Sequence, residues 1–412
     1  MKLAVCILAS LSAFAETLEH SGFVDVSAYV FPQLQIGDRS RIVGDALFRY
    51  EAIYNPGPWL RVETGFDVRT DTHRQTERSL RISWRDRGLQ RPAVTARTLS
   101  GTFRSGPLTV QLGKQLIRWG AADTVKPVDR FAPRDFLNPV ESEVLPVTAA
   151  RASLEFRGGT RRIELVATPQ MTPSRLPLAR QRWMPIPPGL PEYPEIRQPR
   201  ARYPQRAQFG ALWSHTRNRL EYSACFFDGF NYNPSLDVIT VSVSPLVVEA
   251  VFKYSKLRMF GGDVVWAGRP FTIRAEGGYF QSTQQGNVRG DNYAFYVVQL
   301  ERQQGAWSGV LAYAGQNVTR NAGEYLFDPD RALAGAILAR SSHRLTPQSE
   351  LRVEGAMDRQ GVAALTRVEY SRSMTANWRT TVAFTWIHGD SSHLLGQYAR
   401  NGYGRLTNRY SF

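Results

Sequence analysis

The chain has 412 residues, of which 42% are hydrophobic, with a mean hydropathy of −0.33 and 51 Lys and Arg against 36 Asp and Glu. No internal run approaches the ~20 apolar residues that a spanning helix needs, which excludes a helical membrane protein. The net charge of +15 comes from arginines dispersed along the chain rather than gathered on a helix, which argues against a nucleic-acid partner.

Residues 1–15 read as a secretory signal. Lys2 is the positive start, Leu3 to Phe14 is apolar apart from Ser10 and Ser12, and Ala13-Phe14-Ala15 is a small-x-small cleavage site before Glu16. Cys6 leaves with the signal and Cys225 remains, so the mature chain has no internal disulfide despite an oxidising compartment.

Beyond the signal the dominant pattern is period-two alternation. Leu60, Val62, Phe66 and Val68 oppose Arg61, Glu63, Asp67 and Arg69. Phe271, Ile273 and Tyr279 oppose Arg274 and Glu276; Trp378, Val382, Phe384 and Trp386 oppose Arg379, Thr381 and Thr385. The apolar face is assigned to lipid and the polar face to a lumen. Eighteen strands are expected, at 22–35, 42–54, 58–70, 93–104, 107–118, 148–157, 161–168, 205–215, 218–229, 250–266, 270–282, 291–303, 306–317, 334–344, 349–358, 361–373, 377–388 and 398–412. The count is open by two, down to sixteen, because 236–254 reads as one long strand or two short ones. Connections after even-numbered strands are tight, as at Pro56-Gly57-Pro58, Gly158-Gly159 and Arg217-Asn218, and the long ones all follow odd-numbered strands. The reading is an all-β, transmembrane antiparallel barrel over 16–412 in a bacterial outer membrane, with periplasmic termini.

Three long loops stand out, at 71–92, 119–147 and 169–204. The third holds ten prolines and six arginines, Arg175, Arg180, Arg182, Arg197, Arg200 and Arg202, against Glu192 and Glu195. It is expected either to be a solvated external loop or to fold over the mouth or bind anionic lipopolysaccharide, with Arg197, Arg200 and Arg202 at the mouth. Parity gives the strands a near balance of inward Arg and Asp/Glu, hence a salt-bridged lining rather than an anion attractor, and the weak anion preference expected at low salt is assigned to Arg197, Arg200 and Arg202 at the mouth. The last strand carries Leu406, Tyr410 and Phe412 on one face and Arg405, Thr407, Arg409 and Ser411 on the other. Tyr410 and Phe412 form the assembly signal expected of a closing strand handed to the barrel-assembly machinery.

The densest motif is Gly113-Lys114-Gln115-Leu116-Ile117-Arg118-Trp119-Gly120, followed by Asp123, Pro127, Asp129, Arg130, Pro133-Arg134-Asp135 and Asn138-Pro139. It resembles an uncharacterised family of proteobacterial outer-membrane barrels with a GKQ…WG…D…P.D…P.D stretch. The similarity covers about 84–156 and is architectural elsewhere. The resemblance implies a barrel in the outer membrane, and some members are suspected of moving hydrophobic compounds. On the residues themselves, Lys114, Arg118 and Trp119 end a strand, and Asp123, Asp129, Asp135, Glu141 and Glu143 then mix with Lys126, Arg130 and Arg134. Prolines and opposed charges suit a compact loop that folds inward and narrows the lumen. The candidate constriction set is therefore Lys114, Arg118, Trp119, Asp123, Lys126, Asp129, Arg130, Arg134 and Asp135.

No H-E-x-x-H, paired C-x-x-C or G-x-S-x-G motif occurs. Ser391, Ser392 and His393 beside His388, and Asp328 and Asp330 beside Glu324, read as solvated turns rather than as a hydrolase or calcium site. No metal, cofactor or catalytic residue is assigned. The expected function is passage of a small solute through a polar, partly occluded lumen in contact with outer-membrane lipid. Transport of hydrophobic molecules or lipids is the alternative, and an outer-membrane enzyme comes third.

Overall fold

The computed structural model describes residues 18–35, 37–184, 195–243, 246–283, 291–320, 331–390, 393 and 395–412. The expected signal at 1–15, Glu324, Asp328 and Asp330, and Ser391 and Ser392 lie outside the described residues.

The wall has eighteen strands. They are β1 (Leu18–Val30), β2 (Ile42–Gly57), β3 (Leu60–Asp71), β4 (Val94–Ser105), β5 (Leu108–Gln115), β6 (Val147–Phe156), β7 (Arg161–Thr168), β8 (Gln208–Arg217) and β9 (Leu220–Phe230). The second half is β10 (Lys256–Ala267), β11 (Thr272–Ser282), β12 (Asn292–Gln304), β13 (Trp307–Arg320), β14 (Ala336–Thr346), β15 (Ser349–Asp358), β16 (Ala364–Ser373), β17 (Trp378–His388) and β18 (Tyr403–Ser411). Each pairs antiparallel with the next, and β18 returns to β1 from Phe23↔Ser411 to Val30↔Gly404. Closure gives every strand a neighbour on each side, which is what lipid demands of a sheet. Connections after even-numbered strands span two to four residues, and those after odd-numbered strands span five or more.

The structure corrects three expected boundaries. The fifth strand ends at Gln115 rather than 118, and the last begins at Tyr403 after a 3-10 turn at Gly396–Asn401. The tenth begins at Lys256, because the chain before it is not wall. Segments Ser235–Val243 and Leu246–Lys253 form a hairpin in a separate sheet, joined in parallel by Glu195–Arg202. The proline-rich segment is thus not loop throughout. Pro199 sits where the register shifts between Arg197 and Arg200, on an edge strand, the setting a strand proline requires.

The outward parity is apolar and exposed, as at Val26, Leu99, Leu112, Leu165, Val264, Leu311 and Phe384. Trp59, Trp266, Trp307, Trp378 and Phe412 stand exposed at the short-turn rim as an aromatic girdle. The inward parity is not uniform. Along β1–β3 and β15–β18 it carries charge, including Asp25, Asp45, Arg69, Arg352, Glu369 and Arg405. Along β6–β14 it is largely apolar, with Val166, Leu212, Phe227, Met259, Phe280, Phe295 and Val297 buried in one cluster.

Phe412 takes part in closure directly. Its main chain exchanges two 3.0 Å hydrogen bonds with Gly22, and its ring stacks with Phe48 and Tyr410. Deleting Phe412 is expected to lower assembly and leave degraded periplasmic protein, with Phe412→Ala intermediate because it keeps both main-chain bonds. Normal levels of heat-modifiable barrel after the deletion would contradict this role.

Candidate functional site

Residues 116–146 leave β5 and run inside the barrel. Side chains from strands all round the circumference hold them there. Trp119 Nε1 donates to Glu164 Oε1 on β7 at 2.8 Å, and its ring meets Phe131 edge-on at 5.1 Å. Phe131 in turn meets Phe227 of β9. Glu276 of β11 accepts from the Ala122 and Val128 amides, both at 3.0 Å, and Gln299 of β12 accepts from Asp123 N. Asp129 Oδ1 accepts from Trp119 N, stapling the loop to itself; burial raises the Asp129 pKa. Two glycines permit this approach. A Cβ on Gly210 would lie 2.6 Å from both Trp119 and Phe131, and one on Gly120 (φ +87°) would strike the Glu276 carboxylate.

The far end of the loop reaches the opposite wall. A 3-10 turn at Pro139–Glu141, capped by Asn138, presents Glu141 and Glu143 to a set of arginines. Glu143 lies 2.6 Å from Arg49, 2.5 Å from Arg69 and 2.8 Å from Arg97. Glu141 lies 2.8 Å from Arg367 and 2.6 Å from Arg405, and also accepts from Tyr403 Oη. Between tip and wall runs a cavity of about 360 Å³, lined by seven arginines and six carboxylates. It extends from Arg182 and Trp183 near the long-loop rim to Arg379 and Arg409 near the short-turn rim. Arg409 pairs with Asp25. Arg379 donates to Ser371 Oγ and has no carboxylate partner among the described residues.

Residues 169–184 cross the mouth above this cavity. The Arg182 guanidinium lies 3.7 Å over Phe31, its amide donates to Asp38, and its carbonyl accepts from Asn401. Trp183 packs on Tyr398 and Tyr403. Burial works against the Asp38 carboxylate, but hydrogen bonds from His73 and Ser40 outweigh it and hold its pKa below the usual range.

None of the nine residues expected to form the constriction lines the cavity between loop tip and wall. Lys114 shares the register of outward-facing Leu99, is fully buried beneath Trp84, and pairs with Asp86. Asp86 continues through Arg175 to Asp135, and Asp135 to Arg91, forming a buried ionic chain. Trp119 and Asp129 belong to the loop core, and Arg118 is exposed. Asp123 lies 3.9 Å from Arg340. Lys126, Asp129, Arg130 and Arg134 line a smaller recess of about 170 Å³ on the other side of the loop, where Arg130 stacks on Tyr232. Arg197 and Arg200 fall on the outer edge strand with side chains outside the described residues; Arg202 is exposed. The sequence pattern places Glu141 and Glu143 among the loop's charges but outside the constriction set, gives Arg49, Arg69 and Arg405 as inward wall residues without a partner in the loop, and does not single out Arg97 and Arg367. The acidic run Glu141-Ser142-Glu143 at the loop's end was the available signal.

No family model matches the chain, and no curated protein matches it by sequence. Solved structures do match in fold. Pseudomonas aeruginosa OccK2 (OpdF) in complex with glucuronate aligns with a TM-score of 0.56 at 10% identity, over 97% of each chain. A BenF-like porin from Pseudomonas fluorescens Pf-5 gives 0.56 at 7% identity, over 96% of this chain and 97% of that one. Pseudomonas aeruginosa OpdK with vanillate gives 0.52 at 11% identity, over 96% and 99%. The chain shares the closed eighteen-stranded fold of these outer-membrane channels.

Two consequences can be measured. Burial opposes the Glu143 charge, but Arg69, Arg49 and Arg97 outweigh it and hold its pKa well below the usual range. A lowered carboxylate pKa stabilises fully above the unfolded value of about 4.3 and is lost only as pH falls through the folded value. Conductance should therefore stay flat from neutral pH to about pH 4.3, and Glu143→Gln at neutral pH should raise conductance and open-channel noise. The loss in loop anchoring should be about 1–2 kcal/mol, since the pair is only partly buried. An opening step between about pH 5 and 7, or an unchanged Glu143→Gln channel, would contradict the anchor. Separately, Gly210→Leu should displace Trp119 and Phe131 and enlarge the conductance; a folded variant with native conductance would show that the loop is held without them.

Proposed function

We propose that the protein is a diffusion channel for small anionic solutes, carboxylates foremost. Passage would follow the charged wall of β1–β3 and β15–β18 beside the tip of loop 116–146. The observation that carries this reading is the cavity from Arg182 to Arg409, with its line of guanidiniums. Glu141 and Glu143 already show the ligand chemistry these arginines take, since planar guanidinium and carboxylate bind through matched forks. The six carboxylates in the lining keep the field moderate, which suits a passage where binding must be weak enough to release. Two fold neighbours hold vanillate and glucuronate, both carboxylates. Hydrophobic cargo has less support, because the apolar inner wall is covered by the chain's own loop.

Reversal potentials in planar bilayers should give anion preference at low salt, fading as the Debye length shrinks from ~10 Å at 0.1 M to ~3 Å at 1 M. In proteoliposome swelling, glucuronate should enter faster than glucose. Replacing Arg379 and Arg409 together by Gln should remove most of that advantage without closing the channel. Cation selectivity, or equal entry of glucose and glucuronate in the unaltered protein, would overturn the reading.

A further inference from the structure

We propose that residues 78–85 form an external docking surface for a phosphate-bearing, multiply acylated lipid of the outer leaflet. The site arises from a defect in the wall. β5 covers β4 only from Leu99 to Ser105, so the long-loop end of β4 lacks that neighbour. A two-residue strand, Ile82–Ser83, fills the gap in parallel, with Ile82↔Val94 and Ser83↔Thr95. The register continues into β3 as Val68↔Val94 and Asp67↔Thr95. Val68 is on the outward, exposed parity, whereas Asp67 is buried against Arg49. Ile82 therefore faces lipid.

Leu80 at 80% and Ile82 at 74% are the most exposed large apolar side chains among the described residues, and Trp84 beside them is 40% exposed. Through Val94, Ile82 stands in register with Val68 of the exposed apolar face. The same segment carries Arg78, Arg81 and Arg85, all exposed. Arg78 donates to Thr70 and to the Asp71 carbonyl. Arg81 and Arg85 have no carboxylate partner among the described residues. The nearby acids face elsewhere. Asp71 accepts from the His73, Gln75 and Thr76 amides, Asp86 is held by Lys114 and Arg175, and Glu77 lies against Gly88.

The result is an exposed apolar strip at the long-loop end of the wall, with exposed arginines that have no carboxylate partner among the described residues on the same short segment. Arginine recognises phosphate through its fork geometry, and the apolar side chains give the acyl chains a surface. The patch is firmly mounted from behind. Lys114 Nζ donates to the Trp84 carbonyl at 2.9 Å and lies 5.7 Å from the Trp84 ring. Because the surface lies outside the barrel, this proposal does not depend on what the lumen passes.

The test uses the intact protein in phosphatidylcholine nanodiscs doped with bisphosphorylated lipid A, read by native mass spectrometry. The unaltered protein should retain lipid A in preference to a monophosphorylated form, and the retention should fall as salt is raised. Arg81→Ser with Arg85→Ser should weaken retention about thirtyfold, from the loss of two basic groups at a membrane surface. Leu80→Ser with Ile82→Ser should also weaken it, while channel conductance and heat-modifiable mobility stay native in both variants. Equal retention after the arginine replacements would overturn the proposal. So would indifference to the number of phosphates, or a dimer or trimer mass that the Leu80 and Ile82 replacements abolish, which would assign the patch to a second copy of the chain.

Discussion

The seating of residues 116–131 against the apolar half of the inner wall is the interaction on which the remaining architecture depends. An eighteen-stranded wall encloses more space than its own side chains fill. Here Ile117, Trp119, Ala122, Val128 and Phe131 fill one side of it. Each large side chain moved out of water contributes about 1.5–3 kcal/mol, and the aromatic contacts through Trp119, Phe131 and Phe227 fix its angle. A buried loop must also satisfy its main chain. Glu276 and Gln299 are placed where free amides arrive, which accounts for two polar residues in an otherwise apolar stretch of wall.

With one side of the loop seated, its far end has a defined reach, and the charged contacts there set position more than stability. Ion pairs withdrawn from water return little net energy, since desolvation offsets attraction, but breaking one partner leaves a stranded charge. Glu141 and Glu143 each bind more than one arginine, so the tip cannot slide along the wall without exposing a guanidinium. The strap at 169–184 follows the same logic above, with Arg182 held by Asp38, Phe31 and Asn401. The open cavity is the space that neither the apolar filling nor the ionic anchors take up.

The wall was legible because lipid enforces a strict two-residue period and tight turns carry Gly, Pro and Asn. The rim asymmetry was legible for the same reason. The content of the lumen was less so. Around Phe226-Phe227 and Phe295 to Val298 both parities are apolar, since one face meets lipid and the other meets the loop. Alternation is then silent about which interior positions a loop covers. Assigning Lys114 to the lumen went wrong because charge was taken to mean inward, whereas a covering segment can bury a charge on the outer parity. Glu141 and Glu143 gained meaning only when folding brought them to arginines on β2, β3, β4, β16 and β18, at separations no local motif encodes. The hairpin at 235–253 shows the reverse problem, since a good strand pattern does not say which sheet the strand joins.

The early end of β5 links the inside of the barrel to its outside. Gly113, at φ +121°, sits so close to β4 that a Cβ there would lie 2.2 Å from the Leu99 carbonyl oxygen, and the chain turns inward two residues later. That turn frees the chain to enter the lumen, but it also leaves β4 with an unpaired edge at membrane depth, which lipid does not tolerate. The loop after β3 must therefore return to cover the edge with Ile82–Ser83. The chain Lys114–Asp86–Arg175–Asp135–Arg91 lies at this corner and ties β5, the covering segment, the strap and the inner loop to one another. Burial alone would raise the Asp135 pKa, yet Arg91 and Arg175 lower it, so the acid stays charged and the chain intact at neutral pH. A change at this corner should thus be felt on both faces of the wall, because the covering segment and the lumen loop share the same ionic anchor.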